Sequence, residues 1–127
     1  GYKKNTFSSS RSENCQTWAV YEINYDGMVK MTLNHIERAI SNKKVITFHY
    51  DGMPRVVEPH LLGTTKTGNL ALRAYQIGGY SSSGFLSWKL FLVEKMSNIQ
   101  VLDDEFVKRP DYNPNDKGMM NIHCRID

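Results

Sequence analysis

The chain has 127 residues, of which 40% are apolar and 23% charged, with a formal net charge of +3. That length suits one domain with an ordinary core, and the balance excludes a disordered chain. The small positive surplus permits an anionic partner without demanding one, and no apolar run approaches the ~20 residues of a membrane span.

Residues 1–16 are polar, with Ser8, Ser9, Ser10 and Ser12 around Arg11, and read as a flexible tail. Its lysines are not followed by the apolar stretch of a signal peptide, so a cytoplasmic protein is expected. Cys15 and Cys124 lie near opposite ends of the chain, a poor disulfide framework, and two reduced thiols are expected. Residues 17–31 read as an N-terminal strand extension. Thr17, Ala19, Tyr21, Ile23 and Tyr25 alternate there with Trp18, Val20, Glu22 and Asn24, although a helix over 16–25 is a rival reading. Asp26-Gly27 then reads as a tight turn, with 28–31 as the returning strand.

The main domain is expected over residues 32–127. It opens on a helix at about 33–42, where Leu33, Ile36, Ala39 and Ile40 share one face. Asn34 with Glu37 fits a capping box, Thr32 is an alternative cap, and Asn42-Lys43-Lys44 carries end signals. The period then becomes two. Ile46, Phe48 and Tyr50 share a strand face, and Asp51-Gly52-Met53-Pro54 is turn chemistry. A short strand follows over 55–58 and is expected to stop at Pro59. Further strands are expected over 70–77, over 85–96 as one long central strand, over 99–102, and at the C-terminal end around Met120, Ile122, Cys124 and Ile126. Residues 78–84 form a glycine- and serine-rich loop. One helix followed by closely spaced short strands predicts a mainly β, α+β fold, a small barrel or a strongly bent sheet.

Catalytic and cofactor signatures are missing. Residues 63–68 carry phosphate-loop letters in the wrong order, between two strands, and no glycine fingerprint precedes a helix. His123 and Cys124 point to opposite faces of a strand, and His35, His49 and His60 lack partners at metal-ligand spacing. No nucleophile has a recognisable base and orienting group. The expectation is a protein that is not an enzyme, with no cofactor and no metal. A DNA-reading helix-turn-helix needs a second short helix, which the pattern lacks.

Residues 33–106 resemble the WYL domain of bacterial regulators. The blocks that carry the likeness are Ala39-Ile40 at the end of the helix, Phe48-His49-Tyr50 closing the first strand, and Arg55 followed four residues on by Pro59. Next comes Leu70-Ala71-Leu72-Arg73-Ala74-Tyr75 in the strand that names the family. The last is Lys89-Leu90-Phe91-Leu92-Val93-Glu94-Lys95-Met96, with Val101-Leu102 and Phe106 beyond it. Leu70-Ala71 stands where the family has Trp-Tyr, and Lys89 and Lys95 stand where it has arginines. Arginine grips phosphate through a planar fork while lysine is a point charge, so these exchanges bear on ligand choice. The resemblance implies a compact Sm-like, SH3-like barrel. It also implies binding of nucleic acid or a nucleotide-like ligand, single-stranded by preference, in transcriptional regulation or phage defence. Relatives usually carry a helix-turn-helix in the same chain, so a stand-alone module or a fragment is implied here.

The blocks single out Arg55, Arg73, Lys89 and Lys95 as candidate phosphate contacts, expected to converge on one face. Tyr75 shares a strand face with Arg73, and Phe91 with Lys89 and Lys95, which offers stacking surfaces beside the charges. Tyr50 lines the same groove or fills the core, and His60, just past Pro59, borders the site. The bland alternative for each cation is a solvated strand residue paired with Glu58 or Glu94. A second class of function, a protein-interaction or homodimerisation module acting through strand edges, is also compatible with a small sheet protein.

Overall fold

A computed structural model describes Cys15 and residues 26–127. The strand read over 17–25 and the rest of the N-terminal tail lie outside the described residues. Among the described residues the fold is mainly β, with one α-helix and a six-stranded antiparallel sheet, in agreement with the class expected. Among the described residues, no helix is long and apolar enough to cross a membrane.

Helix α1 spans Gly27–Asn42, so residues 27–31 are helical and not the returning strand. The reason is local. Asp26 keeps an extended backbone (φ −74°, ψ 175°) and its carboxylate accepts the Val29 N–H at 3.0 Å, which satisfies one of the donors a helix leaves open at its start. Val29 extends the apolar stripe of Leu33, Ile36 and Ile40 back by one turn. Lys43 closes the helix in the left-handed region (φ 52°), its N–H bonding to the carbonyls of Ala39 and Ile40. Asp26→Ala is expected to lower stability by about 1 kcal/mol, read as a fall in the urea midpoint; an unchanged midpoint would show that the cap contributes nothing.

Strands β1 (Lys44–Tyr50) and β2 (Met53–Thr65) form a hairpin. Its two turn residues, Asp51 (φ 54°) and Gly52 (φ 76°), both take positive φ, which suits the right-handed twist of the flanking strands. Strand β3 (Leu70–Gly79) pairs with β2, and β4 (Trp88–Leu92) with β3. A single 3-10 turn, Val93–Lys95, then leads into β5 (Met96–Glu105), which pairs back on β1. The long central strand expected over 85–96 is therefore the short strand β4 at the end of the sheet path, followed by the 3-10 turn, with only Met96 of that span in β5. Strand β6 (Met119–Arg125) ends the sheet by pairing with β2.

Pro59 does not stop β2. On one side, β1 pairs with β2 through Val57 and β6 takes over from Leu61, so Pro59 sits between two partners. On the other side, the register with β3 shifts between Pro59 and Leu61. A residue without an N–H is tolerated at such a break in the ladder. The strand order β4-β3-β2-β1-β5, with β6 on β2, is an open path, and among the described residues no ladder closes it into the expected barrel.

The core lies between α1 and the sheet. Leu33, Ile36, Ile40, Ile46, Val57, Leu62 and Leu72 are fully buried in it. Cys15 and Cys124 belong to the same cluster and are joined as a disulfide. This overturns the expectation of two reduced thiols. Spacing in sequence hid a pairing that the fold brings about.

Candidate functional site

The Asp51-Gly52 turn, the end of β3 and the start of β4 enclose a cleft of about 450 Å3. Tyr50, Arg55, Lys89 and Phe91, four of the residues expected to form a site, line it together with Asp51, Met53, Tyr80, Ser82 and Leu90. The chain is drawn tight at one corner. Gly79 has φ 81°, and a Cβ there would collide with the Pro54 carbonyl and the Arg55 backbone, so only glycine allows this approach. The next N–H, from Tyr80, donates to the Pro54 carbonyl at 2.8 Å. The buried Gln76 amide donates to the carbonyls of Gly78 (2.9 Å) and Tyr80 (2.7 Å). Together these bonds bring the Tyr80 ring over Arg55.

Arg55 is only 6% exposed. Its guanidinium lies 5.4 Å from the Tyr50 ring centre, 5.3 Å from Tyr80 and 5.9 Å from Phe91. One Nη donates to the Tyr50 carbonyl at 3.1 Å, and Nε has no acceptor. The ion pairs among the described residues join Lys44 to Glu105, Arg73 to Asp116 and Arg109 to Glu58; none includes Arg55. Lys89 is likewise without a carboxylate, its Nζ donating to Ser81 Oγ (3.0 Å) and Ser83 Oγ (2.9 Å). Burying a cation without a counter-charge costs several kcal/mol. Cation–π contacts of about 0.5–2 kcal/mol offset part of that. An anion entering the cleft would supply the rest.

Tyr50 serves both core and cleft. Its ring packs edge-on to Phe91 at 5.0 Å, and its hydroxyl accepts the Leu92 N–H at 3.0 Å. Phe91 also packs edge-on to Phe48 at 5.0 Å. These contacts fix the floor on which the Arg55 guanidinium rests.

The other four expected residues lie elsewhere. In the register of β3 on β4, Lys89 faces Ala74 and Phe91 faces Leu72, while Arg73 and Tyr75 face Leu90 and Trp88. Side chains alternate across a strand, so Arg73 and Tyr75 project from the opposite side of the sheet to Lys89 and Phe91. There Arg73 grips Asp116 through two nitrogens at 2.7 and 3.2 Å. Burial pushes the Asp116 carboxyl up, yet the Arg73 pair and the Gly118 N–H hold it below its ordinary value. Tyr75 lies under Arg109, whose guanidinium is 3.8 Å from the ring centre and bonded to Glu58 at 2.8 Å. A smaller hollow of about 210 Å3 on this side is lined by Arg73, Trp88, Tyr112 and two aspartates, so its cation is already neutralised. Lys95 is exposed on the 3-10 turn, away from the cleft.

His60 does not border the cleft. It is fully buried among Trp88, Phe106 and Tyr112, with ring centres at 4.8–5.1 Å. The Arg109 N–H donates to Nε2 at 3.2 Å, so Nδ1 carries the proton and donates to the Glu58 carbonyl at 2.9 Å. The ring is therefore neutral. Burial, with Arg109 adding to it, lowers its pKa against the opposing pull of Glu58. A lowered folded pKa means the unfolded chain binds protons more readily, so His60 contributes stability that is present above about pH 6.5 and lost as pH falls below it. Burial lowers His123 in the same direction. The urea midpoint is expected to fall between pH 7.5 and 5, and His60→Gln to flatten that fall; an equally steep fall in the variant would place the effect elsewhere.

Tyr80, Ser81, Ser83 and Gln76 escaped the sequence reading. The Gly-Gly-Tyr at 78–80 beside a serine run was the available signal, since paired glycines mark a close backbone approach. Among the described residues, no three His, Cys, Asp or Glu side chains are grouped to hold a metal ion.

Compared with known proteins, the chain matches no family model, no curated protein and no solved structure at a significant level. The WYL resemblance rests on the residue blocks alone.

Proposed function

We propose that this chain is a non-catalytic, WYL-like ligand-sensing module that binds nucleic acid or a nucleotide-like anion in the Arg55–Lys89 cleft, in a regulatory role. The observation that carries the reading is a buried guanidinium in an aromatic cage with no carboxylate partner. Such a group is poised for charge-assisted bonds to an anion, and the rings beside it offer a face for a base. The test is an anisotropy titration with single-stranded DNA, single-stranded RNA, duplex DNA and cyclic oligonucleotides over a range of salt. Lys89→Ala should weaken binding while Lys66→Ala, at an exposed turn of equal charge, should not. Equal losses in the two variants would reduce the attraction to diffuse charge and remove the site.

A protein-interaction module is the second reading. It draws on Met28 and Met31, 79% and 60% exposed beside a groove between α1 and β5, and on β5 as an edge strand of the sheet path. Salt-insensitive self-association in sedimentation, without oligonucleotide binding, would favour it.

A further inference from the structure

We infer that the cleft takes a nucleoside phosphate monoester, supplied by a free mononucleotide or by the phosphorylated end of a strand, in preference to the internal phosphodiesters of a nucleic acid. This rests on the ligand-sensing reading and narrows it to one phosphate chemistry.

Charge makes the first argument. Two cations line the cleft, Arg55 and Lys89, and neither is ion-paired. The cations nearest by sequence position on β3 and β1 are already bound, Arg73 to Asp116 and Lys44 to Glu105. A strand held by its diesters carries one charge per nucleotide and needs cations spread along a track. Here the two cations face one compartment, which Asp51 also lines, and they form no track along which successive diesters could lie. A phosphate monoester gathers about −1.5 to −2 at pH 7 in one group, so a single group can meet both cations at one point, with Asp51 offsetting part of their charge.

Shape makes the second. A cleft of about 450 Å3 falls within the ~300–1,000 Å3 usual for small-molecule sites. Around the charges the wall is apolar: Tyr80 is 45% exposed and Met53 39%. That combination offers a flat body, such as a base, a surface beside the phosphate. Tyr50 and Phe91 lie beneath, in contact with the core.

Calorimetric titration of the full chain decides the matter. The ligands are a 5′-mononucleotide, its nucleoside, a cyclic dinucleotide, and one short single strand with either a 5′-phosphate or a 5′-hydroxyl. The mononucleotide should bind at least tenfold tighter than the nucleoside and the cyclic dinucleotide. A strand-end source would show as an equal gain from the 5′-phosphate on the strand; preference for the mononucleotide over both strands would identify the free nucleotide. Affinity should fall as pH drops from 7.5 to 5.5, because the monoester loses its second charge near pH 6. Arg55→Gln and, at a half-buried position of lower folding risk, Lys89→Met should each lose at least tenfold, with Lys66→Ala unchanged. If the 5′-hydroxyl strand or the cyclic dinucleotide binds as tightly as the monoesters, the inference is overturned while nucleotide sensing stands. If nothing in the panel binds, both fall.

Discussion

Reducing the Cys15–Cys124 disulfide is expected to remove about 4 kcal/mol of stability. The bond joins residues 109 apart in sequence, and closing a loop of about 100 residues in the unfolded chain is worth roughly 4.7 kcal/mol on the chain-entropy account. It also acts on packing. Both cysteines are buried, Cys124 sits opposite Leu62 on the central strand, and the Ser41 hydroxyl at the end of α1 donates to Cys15 Sγ. The link therefore ties Cys15 and the helix end to the last strand. Urea unfolding with and without reductant measures the effect. A Cys15→Ala/Cys124→Ala protein, which keeps the site apolar, should match the reduced protein and ignore the reductant. Coincident curves for the oxidised and reduced protein would show that the link adds nothing.

Arg55→Met is expected to move stability and binding in opposite directions. Replacing a buried, unpaired cation by an apolar side chain of similar length removes a desolvation cost, and stability should rise by about 1 kcal/mol. The same change deletes the charge-assisted bonds to an anion, worth about 1.5–3 kcal/mol, so affinity should fall by roughly 10- to 150-fold. Denaturant midpoints and a binding isotherm on the same preparation read both effects. A loss of stability of 1 kcal/mol or more would identify Arg55 as a structural residue, held for the sheet and not for a ligand.

Much of the fold was legible because local spacing is physical. Leu33, Ile36, Ala39 and Ile40 can share a face only on a helix, and Ile46, Phe48 and Tyr50 only on a strand. Asp26-Gly27 reads as a tight turn yet starts the helix, because a short carboxylate before glycine serves a turn and a helix cap equally well. Pro59 misled because its cost depends on whether a neighbour needs its N–H, and that depends on where β1 ends and β6 begins. The site divided along the same line. Arg73 with Tyr75, and Lys89 with Phe91, were correctly placed on common faces within their own strands. Whether the two faces coincide is set by the register across residues 78–87, which no spacing within either strand reports. His60 looked peripheral beside a proline, yet the 106–112 segment covers it. The disulfide, too, joins positions related only through the completed sheet.

Every residue that lines the cleft falls within the stretch from Tyr50 to Phe91, on the consecutive hairpins of β1 to β4. The β5 and β6 strands contribute none of them. On a ribosome, the walls of the cleft are thus all outside the tunnel before the strands that complete the sheet. A ligand present at that moment would meet its contacts on a half-made protein, and binding there would favour the strand register on which the later strands must dock.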